Sequence, residues 1–252
     1  MIPQQDSTAP ERIVLVTGAA SGLGEACATA LAAAGVRLVL PVRRREAAQE
    51  RFADPRHIVV DCDVSQEESV QNLVGLLRTE KIVLNGVVLA AGTQDIRPLS
   101  FETKATLQAT WEVNVYGSLG LLAGLLKARR IAKESSIVLF SSAATQAGGI
   151  GLVSYAASKG ALEGATRSLA MELASQRIRV NAIAPGVVET PMSGRYMGRM
   201  SAPQIEAVRA SHPLGFGVPQ DIASLVTFLV SDTAKWITGT VITIDGGLTS
   251  HS

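Results

Sequence analysis

Cysteine is almost absent from this chain of 252 residues, which holds only Cys27 and Cys62. Two such thiols match neither a disulfide framework nor a zinc-ligand spacing, so both are expected to be buried and free. The three histidines, His57, His212 and His251, show no ligand spacing either, and the chemistry is expected to need no metal. Net charge is missing as well: 23 Lys plus Arg face 22 Asp plus Glu, a formal charge of +1. That balance supplies no electrostatic footprint for nucleic acid or an anionic membrane. No long apolar run exists. Stretches such as 119–126 and 87–91 fall well short of the ~20 residues of a membrane-spanning helix. Residues 1–11 are polar, contain Pro3 and Pro10, and have neither the basic start nor the apolar stretch of a secretory signal. The expectation is a cytoplasmic protein with a small-molecule partner, no nucleic acid and no membrane, and a flexible N-terminal tail over residues 1–11.

What is there is a core. Hydrophobic residues make up 47% and charged residues 18%, the balance of a globular chain. No linker, charge block or repeat divides it, so residues 12–252 read as a single domain. Apolar strand candidates (13–17, 37–40, 57–60, 86–89, 136–140, 179–182 and 241–244) alternate with helical spacing at 24–34, 70–77, 106–130, 155–174 and 221–230. Strands that are apolar on both faces, alternating with helices, indicate parallel βαβ units. The predicted fold class is α/β, a doubly wound seven-stranded parallel sheet with helices on both faces. Such sheets bind ligands at their carboxyl edge, where the strand order reverses.

Directly after the first strand stands Thr17-Gly18-Ala19-Ala20-Ser21-Gly22-Leu23-Gly24, opening an alanine-rich helix. Gly18 suits a tight turn, Gly22 close approach of a pyrophosphate, and Gly24 tight helix–sheet packing, while the helix start offers unpaired N–H groups. A plain strand-to-helix turn is the alternative. Further on, Tyr155 and Lys159 stand four apart, on one face of a helix. A free tyrosine, with a pKa of ~10, needs nearby positive charge before its phenolate is accessible near neutrality. Lys159 can provide it, although the same pattern also fits an ordinary surface helix.

The G-x-x-x-G-x-G spacing preceded by Thr17 resembles the classical short-chain dehydrogenase/reductase family, and the resemblance runs through nearly the whole chain. It implies a single-domain Rossmann fold and a nicotinamide cofactor held at Gly18, Ser21, Gly22, Leu23 and Gly24. In Asp61-Cys62-Asp63-Val64 the resemblance sets Asp63, with Val64, against the adenine; a helix cap from Asp63 or Ser65 is the alternative. Ala90 and Gly92 would offer backbone contacts to the adenosine ribose. Asn181-Ala182-Ile183-Ala184-Pro185-Gly186 looks like the family's segment facing the nicotinamide, with Val188 and Thr190 meeting its carboxamide and the phosphates. Ile244-Asp245-Gly246-Gly247 resembles its terminal-strand signature. The family's acidic ribose-binding position falls at Val42, and Arg43-Arg44-Arg45 follow. Arg43 and Arg44 would clamp a 2′-phosphate, which favours NADP(H), with NAD(H) as the alternative.

The same resemblance assigns the chemistry. Ser142 would hold the substrate oxygen, Tyr155 would exchange the proton, Lys159 would support it while binding the cofactor beside Tyr155, and Asn114 would help organise a water chain from Lys159 to solvent. The implied activity is NADP(H)-dependent reduction of a ketone to a secondary alcohol, or the reverse. A non-enzymatic NADP-binding regulator on the same fold is the competing reading, and a nucleotide-sugar epimerase or dehydratase a more distant one. Leu89-Ala90-Ala91-Gly92 departs from the family's Asn-Asn-Ala-Gly, which puts the security of that turn in question. Substrate choice should rest on the segment 191–213, a candidate lid with Met192, Tyr196, Met197 and Met200. Length and ending resemble bacterial 3-oxoacyl-thioester reductases, which present two arginines to acyl carrier protein. Arg129 or Arg130 matches one of them, but Met171 stands where the second is expected. Steroid, sugar and small xenobiotic ketones remain as other substrates. The resemblance also suggests a homotetramer or homodimer built through 106–130 and 155–174.

Overall fold

Successive residues of a strand face opposite sides of its sheet, and here both sides are apolar. Val14, Val16, Leu38 and Leu40 enter one core layer; Leu15, Val39, Val87 and Leu139 enter the other. That is why the strands read as continuous apolar runs. The computed structural model describes residues 11–251. Its strands are β1 (Ile13–Thr17), β2 (Arg37–Val42), β3 (Ile58–Asp61), β4 (Leu84–Leu89), β5 (Ile131–Phe140), β6 (Arg179–Pro185) and β7 (Val241–Ile244). They form one parallel sheet in the order 3-2-1-4-5-6-7. The order reverses between β1 and β4, and a ligand crevice is expected at their carboxyl ends. The expected fold class is the one observed. Of the tail predicted over residues 1–11, residues 1–10 lie outside the described residues; Glu11 pairs with Arg37.

The helices, in chain order, are α1 (Gly22–Ala33), α2 (Arg45–Arg51), α3 (Glu67–Thr79), α4 (Lys104–Trp111), α5 (Ser118–Lys127), α6 (Ala144–Ala147), α7 (Val153–Glu172), α8 (Pro191–Met197), α9 (Ala202–Ala210) and α10 (Pro219–Val230). Leu31 of α1 and Val226 of α10 pack into the first layer; Leu73 of α3, Leu121 of α5 and Leu162 of α7 pack into the second. Cys27 and Cys62 are buried and free, one in each layer, and burial pushes the Cys27 thiol up to about 12. No helix among the described residues is long and apolar enough to cross a membrane.

Two differences from the sequence reading bear on the site. The helix expected over 106–130 is interrupted: α4 and α5 are joined by a π-helical turn, Glu112–Gly117. Such a turn holds an extra residue and re-aims what it carries; here it carries the fully buried Asn114. The other difference is that α2, α6, α8 and α9 have nine residues or fewer, too short for helical periodicity to mark them.

At the opposite edge of the sheet, Arg179 on β6 latches the end of α10. Its Nη2 donates to the carbonyls of Leu229 (2.7 Å) and Ser231 (3.1 Å), and Ser136 Oγ also donates to Leu229 (2.8 Å). Charge-assisted bonds of this kind make Arg179→Met cost about 2–3 kcal/mol. Urea denaturation reads the loss, and an unchanged midpoint would show that the latch carries no stability.

Candidate active site

The glycine turn sits at the strand-order reversal. Gly18 has φ 71° and Gly22 φ 60°, a region that favours glycine. A Cβ on Gly24 would stand 2.4 Å from the Gly18 carbonyl oxygen, so only glycine lets α1 begin this close to β1. Ser21 at the α1 N-cap makes no side-chain capping bond, which leaves the first-turn N–H groups open toward the crevice. Bare backbone donors at a helix start fit a dinucleotide pyrophosphate. Across the crevice, the departing turn at Ala90-Ala91-Gly92 is secured without the family's amides. Thr17 Oγ1 accepts the Ala91 N–H (2.9 Å), and Leu89 is buried in the core.

A cavity of about 390 Å³ opens at this edge. Ser142, Tyr155 and Lys159 all line it, Ser142 from just beyond β5 and the other two from one face of α7. Ser142 stands close enough to Tyr155 to pull its pKa down, and Ser142 Oγ accepts the Ala144 N–H (3.2 Å). Lys159 Nζ donates to the Phe140 carbonyl (2.8 Å) and lies 5.7 Å from the centre of the Tyr155 ring. Burial brings the lysine down to about 8. It also pushes the Tyr155 pKa up, outweighing the pull of Ser142 in the other direction. Burial of the phenol thus opposes the acidification expected from Lys159. Both groups leave water together, and desolvation disfavours the charged form of each.

Asn114 is committed to a clamp. Its Oδ1 accepts the Thr93 N–H (2.8 Å), and its Nδ2 donates to the Thr93 carbonyl (3.0 Å) and to Ser158 Oγ (3.0 Å). It bonds the residue after Gly92 and the residue before Lys159; among the described residues it has no direct bond to Lys159. Glu163 was missed by sequence reasoning. It continues the Tyr155–Lys159 face by one more turn, and its Oε1 accepts the hydroxyls of Ser141 (2.6 Å) and Thr145 (2.7 Å), gripping the loop on both sides of Ser142. The four-residue spacing from Lys159 was the available signal.

The other expected cofactor residues divide into two groups. Leu23, Ala90, Gly92, Pro185, Gly186, Val188 and Thr190 line the cavity with the catalytic candidates. Arg43, Arg44, Asp63 and Val64 lie outside it, beyond the ends of β2 and β3. Asp63 Oδ1 accepts the Ser65 N–H (3.0 Å) and hydroxyl (2.7 Å), a local turn; the N-cap of α3 is Gln66. In the lid segment, Met192 and Tyr196 reach the cavity while Met197 and Met200 do not. His212 lines it too, but its Nε2 accepts the Val187 N–H (3.2 Å) and its Nδ1 faces the Val208 carbonyl (2.8 Å), so the ring is held by backbone. Met171 is exposed on α7. Among the described residues no cluster of three His, Cys, Asp or Glu is placed to hold a metal ion.

Comparison with known proteins agrees with this arrangement. A family model described as enoyl-(acyl carrier protein) reductase matches residues 18–249. Carbonyl reductase family member 4 of Danio rerio is 34% identical over 241 residues, covering 94% of this chain and 98% of its own. The 3-oxoacyl-[acyl-carrier-protein] reductase of Bos taurus is 32% identical over 241 residues, with the same coverages. Among solved structures, a short-chain dehydrogenase/reductase of the glucose/ribitol dehydrogenase type from Brucella melitensis has TM-score 0.87 at 31% identity, covering 94% of this chain and 96% of that one. A 4-hydroxyisoleucine dehydrogenase complexed with NADH has TM-score 0.85 at 29% identity, covering 95% and 99%. With the glycine turn, the sheet order and the Ser142–Tyr155–Lys159 site on one edge, the chain belongs to the short-chain dehydrogenase/reductase family of NAD(P)-dependent oxidoreductases acting on alcohols and ketones.

Proposed function

We propose that this protein is an NADP(H)-dependent carbonyl reductase that converts a ketone to a secondary alcohol, or runs the reverse. The observation that carries the reading is the meeting of Ser142, Tyr155 and Lys159 on one cavity wall. A cofactor-binding regulator without catalysis would have no use for that convergence.

The nicotinamide, when bound, supplies or accepts the hydride. The chain does the rest. Ser142, oriented by the Ala144 N–H, donates a hydrogen bond to the substrate oxygen, and Tyr155 Oη gives that oxygen its proton. Lys159 stabilises the phenolate left behind. Asn114 keeps Thr93 and Ser158 in place on either side of Lys159, which makes it a positioning residue in this reading. The apolar wall of Leu152, Met192 and Tyr196 excludes water from the reacting carbon. The cofactor's phosphates are assigned to the first turn of α1, with Gly18, Ser21, Gly22, Leu23 and Gly24. Asp63 and Val64 are assigned to its adenine, Ala90 and Gly92 to the ribose, and Pro185, Gly186, Val188 and Thr190 to the nicotinamide side.

Cofactor choice rests on the end of β2. Val42 offers no carboxylate to hold ribose hydroxyls, and Arg43 and Arg44 are exposed with no ion-pair partner among the described residues. Arg45 is already engaged with Gln49 (2.9 Å). Two guanidinium groups free to meet a 2′-phosphate support NADP(H). Replacing both, R43A/R44A, is expected to weaken NADPH about 10- to 100-fold in a fluorescence titration and leave NADH unchanged. Tighter binding of NADH by the wild-type protein would overturn the preference.

A 3-oxoacyl thioester is one candidate substrate, supported by the bovine relative and opposed by Met171 at the second arginine position. The assembly proposed is a homotetramer or homodimer through α4, α5 and α7, which light scattering tests. The deciding experiment for function is loss of NADPH absorbance with β-ketoacyl thioesters, diketones, steroids and keto sugars. No turnover of any ketone with either cofactor would refute the reading.

A further inference from the structure

Beyond Met192 and Tyr196 lies a second, smaller cleft of about 70 Å³, whose walls the chemistry above leaves unused. One wall is a single stripe of α8 and the turn that continues it. Met192, Arg195, Tyr196 and Arg199 stand at i, i+3, i+4 and i+7, the spacing of one helical face. The Arg199 N–H donates to the Tyr196 carbonyl (3.0 Å) and keeps the chain wound past the end of α8. Met192 and Tyr196 border both spaces, so the arginines extend the cavity wall outward. The stripe is firmly based. Thr190 and Ser193 cap α8 reciprocally, and Ser193 Oγ donates to the Val188 carbonyl (2.7 Å).

The facing wall is Gln94, Asp95 and Ile96, pinned by the Arg97 N–H to the Gly151 carbonyl (3.0 Å). Gln94 also borders both spaces. Asp95 brings a negative charge to the cleft, but Arg97 neutralises it at 2.9 Å. Arg195 and Arg199 have no ion-pair partner among the described residues, so the cleft carries uncompensated positive charge beside the reacting groups.

We propose that Arg195, Arg199 and Gln94 form an oxyanion subsite selecting ketones or alcohols that carry a carboxylate or phosphate a short distance from the reacting carbon. The assignment rests on the carbonyl-reductase reading of the main cavity and names the substrate class within it. The cleft has room for one compact headgroup and none for an acyl chain. Guanidinium forks match planar carboxylates and phosphate oxygens bidentately, and Gln94 adds a neutral donor.

The test compares kcat/KM for keto acids of graded length with their methyl esters, and for a hydroxyketone with its phosphate ester, beside an uncharged cyclic ketone as reference. For at least one pair the anion is expected to exceed its neutral partner about tenfold or more. In R195A/R199A that advantage should shrink to less than about twofold, with the cyclic ketone turned over as before. The carboxylate and phosphate arms distinguish the two anions. Neutral partners equal to their anions throughout, or an advantage that survives the double substitution, would overturn the subsite. Turnover of the cyclic ketone without any preferred anion removes the subsite alone. Turnover of nothing, with either cofactor, removes the carbonyl-reductase reading and the subsite with it.

Discussion

Tyr155→Phe is expected to bind cofactor as the wild type does and to lose turnover about a thousandfold, because the group assigned to protonate the substrate oxygen is removed while the cavity wall stays. The same group sets the pH dependence. Burial holds the Tyr155 pKa above its ordinary value, so the proton needed for ketone reduction stays in place through neutral pH. Lys159, brought down to about 8, titrates first. As pH rises past that value the ammonium is lost, the phenolate formed by proton transfer loses its stabilising charge, and kcat/KM for reduction falls. Alcohol oxidation needs the phenolate as base and should rise only at higher pH, where Tyr155 itself gives up its proton. Stopped-flow turnover and cofactor fluorescence for the variant, with pH profiles in both directions for the wild type, check these outcomes. Full turnover by Tyr155→Phe, or a reduction rate that climbs steadily to pH 10, would remove Tyr155 from its assigned role.

Gly24→Ala should be nearly as damaging, for a reason unrelated to proton transfer. Its Cβ would lie 2.4 Å from the Gly18 carbonyl oxygen, a contact with backbone that no rotamer relieves. Either α1 retreats from β1 or the turn at Gly18 opens, and both displace the first-turn N–H groups from the crevice. The expected cost is about 2–3 kcal/mol of stability, with nucleotide affinity reduced by about tenfold or more. Gly75→Ala on α3 is the control. Nothing lies within 4 Å of its added Cβ, and alanine in place of an exposed helical glycine should stabilise by up to about 1 kcal/mol. Thermal melts with and without NADPH separate the two variants, and equal behaviour would show that the close approach at Gly24 does not matter.

Much of the site was legible because its chemistry is bound to local spacing. Tyr155 and Lys159 share a face wherever that segment is helical, and a glycine turn between a strand and a helix reads the same in one dimension as in three. Glu163 was not legible. A carboxylate one turn beyond a lysine looks like a solvated helix residue until the chain running from the end of β5 into α6 is seen to bring Ser141 and Thr145 against it. Asn114 was picked out, but its partners were not. The π-helical turn that aims it at Thr93 and Ser158 belongs to a segment whose pattern reads as one unbroken helix.

The amino-acid order by itself determined the doubly wound sheet, through apolar runs that must be covered on both faces, and the residue types available for catalysis at its carboxyl edge. Tertiary structure alone decided how those residues meet. It placed Tyr155 and Lys159 where burial opposes the charge on both. It turned one stripe of α8 into the shared wall of two cavities. Desolvation and the convergence of distant segments depend on what surrounds a side chain in space, and spacing along the chain carries no measure of that.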